Sequence, residues 1–352
     1  MRRARAWGMI ALVLAAGACV PRKNKPPPLR LVALGPSRGC ALQVAGPTVC
    51  WGKENGAGEL GDGTREPHLF QAKVSGDLGK VTAFALGGHH TCALGEGGVM
   101  HCWGANAAGQ LGRAASAEPS LVPARVAGSW DLVVAGEAHT CARGPAGVRC
   151  WGTGRGITNE GEPAVTKGAR VTAMAASGER TCFALDRGDP AKAEVRCAGE
   201  ERAELVGLAV RRLAMSGDAV CAVLAGGEVH CWSASGKGIA GPTPARVDLP
   251  EAAEEVGVGR AHACVRTKSG TVACWGDNSL HQLADGTATP SARPKLVYGL
   301  IGGKQLAVST DGACALLESG EARCWGGNAS GELGDGTTTE HDVPMPIKAP
   351  PH

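Results

Sequence analysis

Apolar positions along this chain fall in short alternating runs, not in helical stripes. Val81-Thr82-Ala83-Phe84-Ala85-Leu86-Gly87 is followed by His90-Thr91-Cys92-Ala93-Leu94, a Glu96-Gly97-Gly98 turn and Val99-Met100-His101-Cys102-Trp103-Gly104. Alternation with period two predicts half-buried strands, and two such runs across a glycine turn predict an antiparallel hairpin. The grammar recurs along the chain, and cysteines mark its period. Setting Cys19 aside, the pairs are Cys40/Cys50, Cys92/Cys102, Cys141/Cys150, Cys182/Cys197, Cys221/Cys231, Cys264/Cys274 and Cys314/Cys324. Their first members are separated by 52, 49, 41, 39, 43 and 50 residues. A period of this size predicts stacked supersecondary units. Facing residues of a hairpin lie within disulfide reach, about 4.5–5.5 Å between Cα atoms. A Pro-x-x-Val segment before each hairpin, such as Val122-Pro123-Ala124-Arg125-Val126, is expected to supply an outer strand.

Four short strands repeated seven times predict an all-β, seven-bladed propeller of four-stranded antiparallel blades over residues 29–349, with one hairpin disulfide per blade. Asp342-Val343-Pro344-Met345-Pro346-Ile347 then stands as an orphan of the Pro-containing type, while the first unit starts directly at Leu29. The expectation is that this C-terminal strand completes the blade begun by the N-terminal strands and closes the ring, removing exposed edges.

A second string follows the hairpins. It runs Trp51-Gly52 to Thr64, Trp103-Gly104 to Gly112, Trp275-Gly276 to Thr287 and Trp325-Gly326 to Thr337, on the pattern Cys-Trp-Gly-x-Asn-x-x-Gly-Gln/Glu-Leu-Gly-Asp-Gly-Thr. This string resembles the repeat of the regulator of chromosome condensation family, a seven-bladed propeller. Units three to five depart from it. The third continues Thr153-Gly154-Arg155 after Trp151-Gly152, the fifth has Trp232-Ser233, and the fourth has Cys197-Ala198-Gly199 without a Trp. In the sixth, His281 and Ala284 replace two glycines of the motif. The recurrent tryptophans (51, 103, 151, 232, 275 and 325) are expected to pack between blades.

The N-terminus carries an export pattern. Arg2, Arg3 and Arg5 precede an apolar run from Ala6 to Ala18, too short for the ~20 residues of a membrane span. Leu14-Ala15-Ala16-Gly17-Ala18-Cys19 resembles a bacterial lipoprotein box, with Ala16 where Leu is usual. The expected division is a signal peptide over 1–18, then a lipidated Cys19 leading a Pro-rich spacer over 19–28. Cleavage after Ala18 without acylation is the alternative, leaving a free thiol. Val20, not Asp, follows the cysteine, which in well-studied Gram-negative lipoproteins implies the outer membrane. Pro26-Pro27-Pro28 favours an extended spacer.

Charge narrows the partners. The whole chain is +3; removal of 1–18, with three Arg and no acid, brings it to zero. A neutral body with one Tyr and three Phe lacks the basic face and stacking platforms a nucleic acid would need. An even cysteine set in an exported chain reads as a disulfide framework, each bridge contributing up to ~2–3 kcal/mol before strain. No Cys-x-x-Cys suggests zinc. His90, His139 and His262 stand two residues before the first cysteine of their units and could converge on a metal, but Arg38, Arg180, Ala219 and Gly312 occupy that position elsewhere. The resembled family often has a structural His there, so no metal is expected. The Asp-Gly-Thr triplets at Asp62, Asp285 and Asp335 supply one carboxylate each and read as turns, not calcium loops. No cofactor is expected.

No nucleophile elbow or zincin helix occurs, and the expected function is a non-catalytic, envelope-anchored, monomeric scaffold that binds an unknown protein. The divergent segments 152–170, 186–196 and 233–246 are its contact candidates. An exported lyase or hydrolase using the central depression, or an inhibitor of a secreted enzyme, are the other readings. Nucleotide exchange on a small GTPase, implied by the eukaryotic relatives, does not suit an exported chain.

Overall fold

The alternating runs form strands because one face of each must be buried, and here both faces are, between neighbouring small sheets. The computed structural model describes residues 26–158, 160–200, 203–236 and 238–349. Residues 1–25, and with them the expected signal peptide and the expected lipidation site Cys19, lie outside the described residues. Among the described residues, no helix is long and apolar enough to cross a membrane.

Seven four-stranded antiparallel sheets follow one another along the chain, over residues 29–73, 81–126, 132–158, 170–206, 210–246, 253–296 and 303–346. Within each, strands pair in chain order, and the first strand of each blade packs beside those of its neighbours around a central axis. Seven blades are therefore present. The eroded units are full blades too, although their fourth strands shrink to Ile157–Thr158, Leu205–Val206 and Ala245–Arg246.

Each cysteine pair faces directly across the second and third strands of its blade. The register places Cys40 opposite Cys50, Cys92 opposite Cys102, Cys141 opposite Cys150 and Cys182 opposite Cys197. It likewise places Cys221 opposite Cys231, Cys264 opposite Cys274 and Cys314 opposite Cys324. All seven pairs stand at disulfide distance, with Cα atoms 3.9 to 4.2 Å apart. That spacing is shorter than the ~4.5 Å expected of a close pair of facing hairpin residues. The nine-residue separation of Cys141 and Cys150 follows from a tighter turn, in which Gly144 already pairs with Gly147. The fifteen-residue separation of Cys182 and Cys197 is absorbed by a longer turn containing a short 3-10 segment, Pro190–Lys192.

Two expectations about strand order need correction. The Pro-containing segment follows its hairpin instead of preceding one. Ser116–Val126 pairs with Met100–Asn106 of the second blade, and His68–Lys73 with Thr48–Gly52 of the first. In five blades the second cysteine marks this seam: Cys231 also faces Ala245 and Cys274 faces Lys295, both on the fourth strand of the same blade, whereas blade four pairs there through Glu194 and Val195. In the shortened third blade Cys150 exchanges both backbone hydrogen bonds with Gly161 instead, beyond the two-residue fourth strand. The C-terminal strand His341–Pro346 likewise pairs with Ala322–Gly326 of its own seventh blade, and does not complete the first. The physical reason is the motif loop after Trp-Gly, which turns the chain back on itself. In the first blade Asn55 accepts from Leu60 N with Oδ1 and donates through Nδ2 to Thr64 and Glu66 carbonyls. Asp62 then accepts from both the N–H and the hydroxyl of Thr64. Asn278/Asp285 and Asn328/Asp335 repeat this arrangement. These carboxylates therefore brace turns.

The ring closes by packing and hydrogen bonds, without a shared sheet. At the seam between blades seven and one, Leu29 N donates to Gly320 O at 2.7 Å and Lys53 N to Ser330 O at 2.7 Å. The Gln305 amide bonds both the N–H and carbonyl of Val32.

The motif glycines have a local cause. A Cβ on Gly61 would lie 2.6 Å from Trp103 Nε1, and its φ is +69°. Blade six carries Ala284 at that point with φ 47°, and His281 with φ 62° at the other. Left-handed backbone costs a non-glycine residue roughly 1–2 kcal/mol. Ala284→Gly is therefore expected to stabilise the protein by ~1 kcal/mol, read as a raised urea midpoint with unchanged slope. An unchanged or lowered midpoint would show that the methyl's packing outweighs the strain.

Candidate binding face at the mouth of the channel

Four strands per blade fix which end of the ring each connection occupies. Links between first and second strands, and between third and fourth, lie at one end, here called distal. The remaining links lie at the proximal end, where the chain also enters at Leu29 and leaves at Ile347.

Tryptophans clasp successive blades. Trp103 Nε1 donates to Glu59 O at 2.7 Å, Trp325 Nε1 to Gln282 O at 3.0 Å, and Trp51 Nε1 to Glu332 O at 2.8 Å. Each acceptor sits in the motif loop of the preceding blade, beside the buried Leu60, Leu283 or Leu333. Inter-blade packing was the expectation for these rings, and the indole bonds add direction to it. Trp151 lies edge-on to Trp130, with ring centroids 5.1 Å apart. Trp275 packs with Ile239 and Ala240 of blade five.

Blade four, which lacks the motif, uses charge instead. Arg180 Nε donates to Glu200 Oε1 at 2.9 Å and Nη2 to Glu204 Oε1 at 2.7 Å. The second Glu204 oxygen accepts from Trp232 Nε1 at 2.7 Å. A side-chain carboxylate thus stands in for the missing loop carbonyl. Among the described residues, Glu204 also lies with Cys182 and Cys197 in a cluster of metal-ligand atom types, but those sulfurs are at bonding distance from each other and offer no thiolate.

Nearer the axis runs a second set of contacts that sequence reasoning missed. His90 Nε2 meets Thr140 Oγ1 at 2.8 Å and His139 Nε2 meets Thr181 Oγ1 at 2.6 Å, each reaching into the next blade. Arg38, fully buried, plays the same part in blade one. It donates to Thr91 Oγ1 and to the carbonyls of Gly87, Gly88 and His90. Burial lowers its pKa to about 10, so it stays charged at neutral pH. Burial first, then the Arg38 charge, lowers His90 to about 3; burial lowers His139 and His262 to about 4. For His262 the corresponding residue of the next blade is Ala313, not a threonine. The three imidazoles are thus spread between successive blades and do not converge on a metal. The triplets His90-Thr91-Cys92, His139-Thr140-Cys141 and Arg180-Thr181-Cys182 were the available signal.

The first strands leave a channel whose distal mouth encloses a cavity of about 170 Å³. Its lining is mostly glycine and small apolar side chains, with hydroxyls from Ser177, Ser216, Ser309 and Thr310 and one carboxylate, Glu137. Ser177 Oγ accepts from Gly217 N, and Ser309 Oγ bonds the backbone of Gly312. Glu137 and Glu179 are exposed in the adjoining turns, and half-buried Asp218 completes an acidic arc over blades three to five. Hydrogen bonds from Ser235 hold the Asp218 carboxyl below its usual range. Across the mouth, Arg260 pairs with Asp311 at 2.8 Å. The structure divides the contact candidates between the two ends. Residues 152–156 and 233–236 emerge distally beside this arc, with Arg155 reaching Glu200 at 3.5 Å, whereas 187–193 emerge proximally.

Comparison with known proteins agrees with this architecture. Segments 81–110, 254–282 and 97–143 match models described as regulator of chromosome condensation (RCC1) repeat. The E3 ubiquitin-protein ligase HERC2 of Homo sapiens is 28% identical over 282 residues, 75% of this chain, and this chain spans only 5% of that protein's length. The mitochondrial RCC1 domain-containing protein RUG3 of Arabidopsis thaliana is 24% identical over 77% of this chain and 61% of its own. Prp20p of Saccharomyces cerevisiae, characterised with its binding to Gsp1p and histones, superposes with TM-score 0.74 at 18% identity, covering 92% of this chain and 87% of its own. The ectodomain of the Arabidopsis thaliana receptor kinase ACR4 superposes with TM-score 0.56 at 21% identity, over 91% of this chain and all of its own. The motif loops and the closed ring lead to one conclusion: this chain is a seven-bladed β-propeller, parts of whose second, third and sixth blades match models of the regulator of chromosome condensation repeat.

Proposed function

We propose that this protein is an exported, envelope-anchored scaffold that binds a protein partner without catalysing a reaction, and that its binding face is the distal mouth. The carrying observation is the coincidence of three features on blades three to five. There the repeat motif is lost, an ion network replaces the standard clasp, and Glu137, Glu179 and Asp218 form an acidic arc at the channel. Divergent loops on a rigid repeat scaffold are where binding specificity resides. The partner would present basic side chains to this arc. Seven cysteine pairs at disulfide distance suit an oxidising compartment. Acylation of Cys19 would hold the proximal end towards a membrane, the outer one by the residue that follows, and turn the arc outwards. Monomeric behaviour suits a closed ring whose blades leave only short outer edges.

Of the acidic arc only Glu137 lines the cavity itself, and no second titratable side chain lines it with Glu137, which favours this reading over a lyase or hydrolase. The test is capture from envelope extract with the mature chain and with a Glu137→Lys/Glu179→Lys variant. Wild type should retain a partner that the variant loses at least tenfold, with both melting alike because the two side chains are exposed. Recovery of no protein, together with a metal found by elemental analysis, would sink the scaffold reading. Equal capture by both forms would move the site elsewhere.

A further inference from the structure

The proximal end of the ring is unlike the distal one. Of the eight large hydrophobic side chains exposed among the described residues, six stand at or beside it: Val44, Val206, Leu296, Tyr298, Ile301 and Met345. Three of these crowd into the link between blades six and seven, with Leu296 62%, Tyr298 69% and Ile301 86% exposed. Tyr298 is the chain's one tyrosine. The exposed Lys268, Lys295, Lys304 and Lys348 lie in the same sector, each at the proximal end of its strand or link, and outnumber the exposed Glu318 that stands beside the tip. An apolar tip ringed by lysines, with an amphipathic tyrosine among them, is the composition that settles into a lipid headgroup layer.

The path of the chain places this tip near its N-terminus. Gly302 O, next to Ile301, accepts from Glu318 N; two residues on, Gly320 O accepts from Leu29 N. Exposed Val44 joins the same corner, its N–H donating to Pro28 O at 2.8 Å. From Pro28 back to Cys19 the chain has nine residues, which can span about 32 Å at most, at up to ~3.6 Å per residue. A tether of that length, attached at the proximal end, brings that end to the surface more readily than the distal one.

We infer that the Leu296–Tyr298–Ile301 tip and its surrounding lysines seat the propeller directly on an anionic lipid surface. This inference rests on the reading of Cys19 as an anchor for its biological setting, but the contact itself does not need the acyl chains. Two or more acyl chains on Cys19 would already anchor the chain stably, and the apolar and basic tip adds a contact that sets which end faces the surface. Seating also fixes orientation, so that the acidic distal arc points away from headgroups that would repel it.

The experiment uses the mature chain carrying Cys19→Ser, which cannot be acylated, with vesicles of phosphatidylcholine alone or mixed with phosphatidylglycerol. Sedimentation should show binding to the mixed vesicles, weakened by salt, and at least tenfold weaker for Tyr298→Asp/Ile301→Asp. That variant should melt like its parent, since both side chains are exposed. Absence of vesicle binding, or equal binding by the variant, would overturn the proposal. So would retention by the intact tip of one defined protein that excludes vesicles. The anchor is read separately, from the mass of the wild-type N-terminal peptide. An unacylated Cys19 would remove the anchor reading and leave the vesicle result to stand or fall alone.

Discussion

Trp51→Ala should destabilise this protein by ~4–5 kcal/mol and open the ring at one place. Trp51 is fully buried and packs against Leu316, Leu333 and Ile347 of blade seven. Truncating a buried tryptophan costs about 3–5 kcal/mol. Its indole also donates to Glu332 O, and a buried carbonyl left without its donor costs roughly 1 kcal/mol more. Trp103→Ala removes the same chemistry between blades one and two, but there the chain itself joins the blades through residues 74–80. Blades seven and one have no covalent link, and no strand of one joins the sheet of the other. The seam variant should therefore expose two apolar sheet faces and become sensitive to protease near residues 26–75, with broadened urea unfolding. Trp51→Phe should restore most of the packing and lose about 1 kcal/mol, the share of the hydrogen bond. Equal protease resistance of Trp51→Ala and Trp103→Ala would show that the seam has no particular weakness.

That weakness was not legible in the sequence. Cysteine spacing specified the hairpins because a cross-strand pair leaves a fixed separation in the chain. Cys40 opposes Cys50, Cys221 opposes Cys231, Cys264 opposes Cys274 and Cys314 opposes Cys324, all at the same ten-residue interval. The nine residues from Cys141 to Cys150 give the same pairing across a shorter turn. The fourth strand has no such marker. His68–Lys73 lies fifteen residues beyond Gly52 but seven before Val81, so proximity along the chain assigns it to the wrong neighbour. What decides is the buried Asn55, whose bonds to Leu60, Thr64 and Glu66 bend the long loop back. The same limit applies to the site. Arg180, Glu200, Glu204 and Trp232 are ordinary residues in sequence, and only the ring brings them together across two blades. The contact segments were found by divergence, which marks variable loops but not the end of the ring on which each emerges.

Acid should unfold this propeller well before its carboxylates as a class are neutralised, because three of its inter-blade imidazoles are buried in neutral form. His90, His139 and His262 have no exposed surface, and their pKa values fall from 6.5 to about 3, 4 and 4. Burial is the main cause for each, and the neighbouring Arg38 charge adds to it for His90. The unfolded chain therefore takes up protons that the folded one refuses. For groups depressed in this way, stability is full above about 6.5 and is lost as pH falls towards the folded values. Each unit of pKa difference is about 1.4 kcal/mol, so three such groups together give a slope approaching ~4 kcal/mol per pH unit near pH 5. Glu332 opposes this trend. Burial raises its carboxyl to about 7, so its contribution is present at low pH and declines as pH rises from about 4.5 to 7. One group cannot offset three, and the net direction is loss of stability on acidification. Urea midpoints measured from pH 7.5 to 4.5 should fall steeply below pH 6. His90→Gln and His139→Gln keep an amide within reach of Thr140 and Thr181 and remove the titrating ring. Each should lower the midpoint at pH 7.5 modestly and flatten the acid limb by about a third. A wild-type midpoint that stays level from pH 6.5 to 4.5 would mean that the imidazoles meet solvent protons in the folded ring, and that the His–Thr contacts do not help hold its blades together.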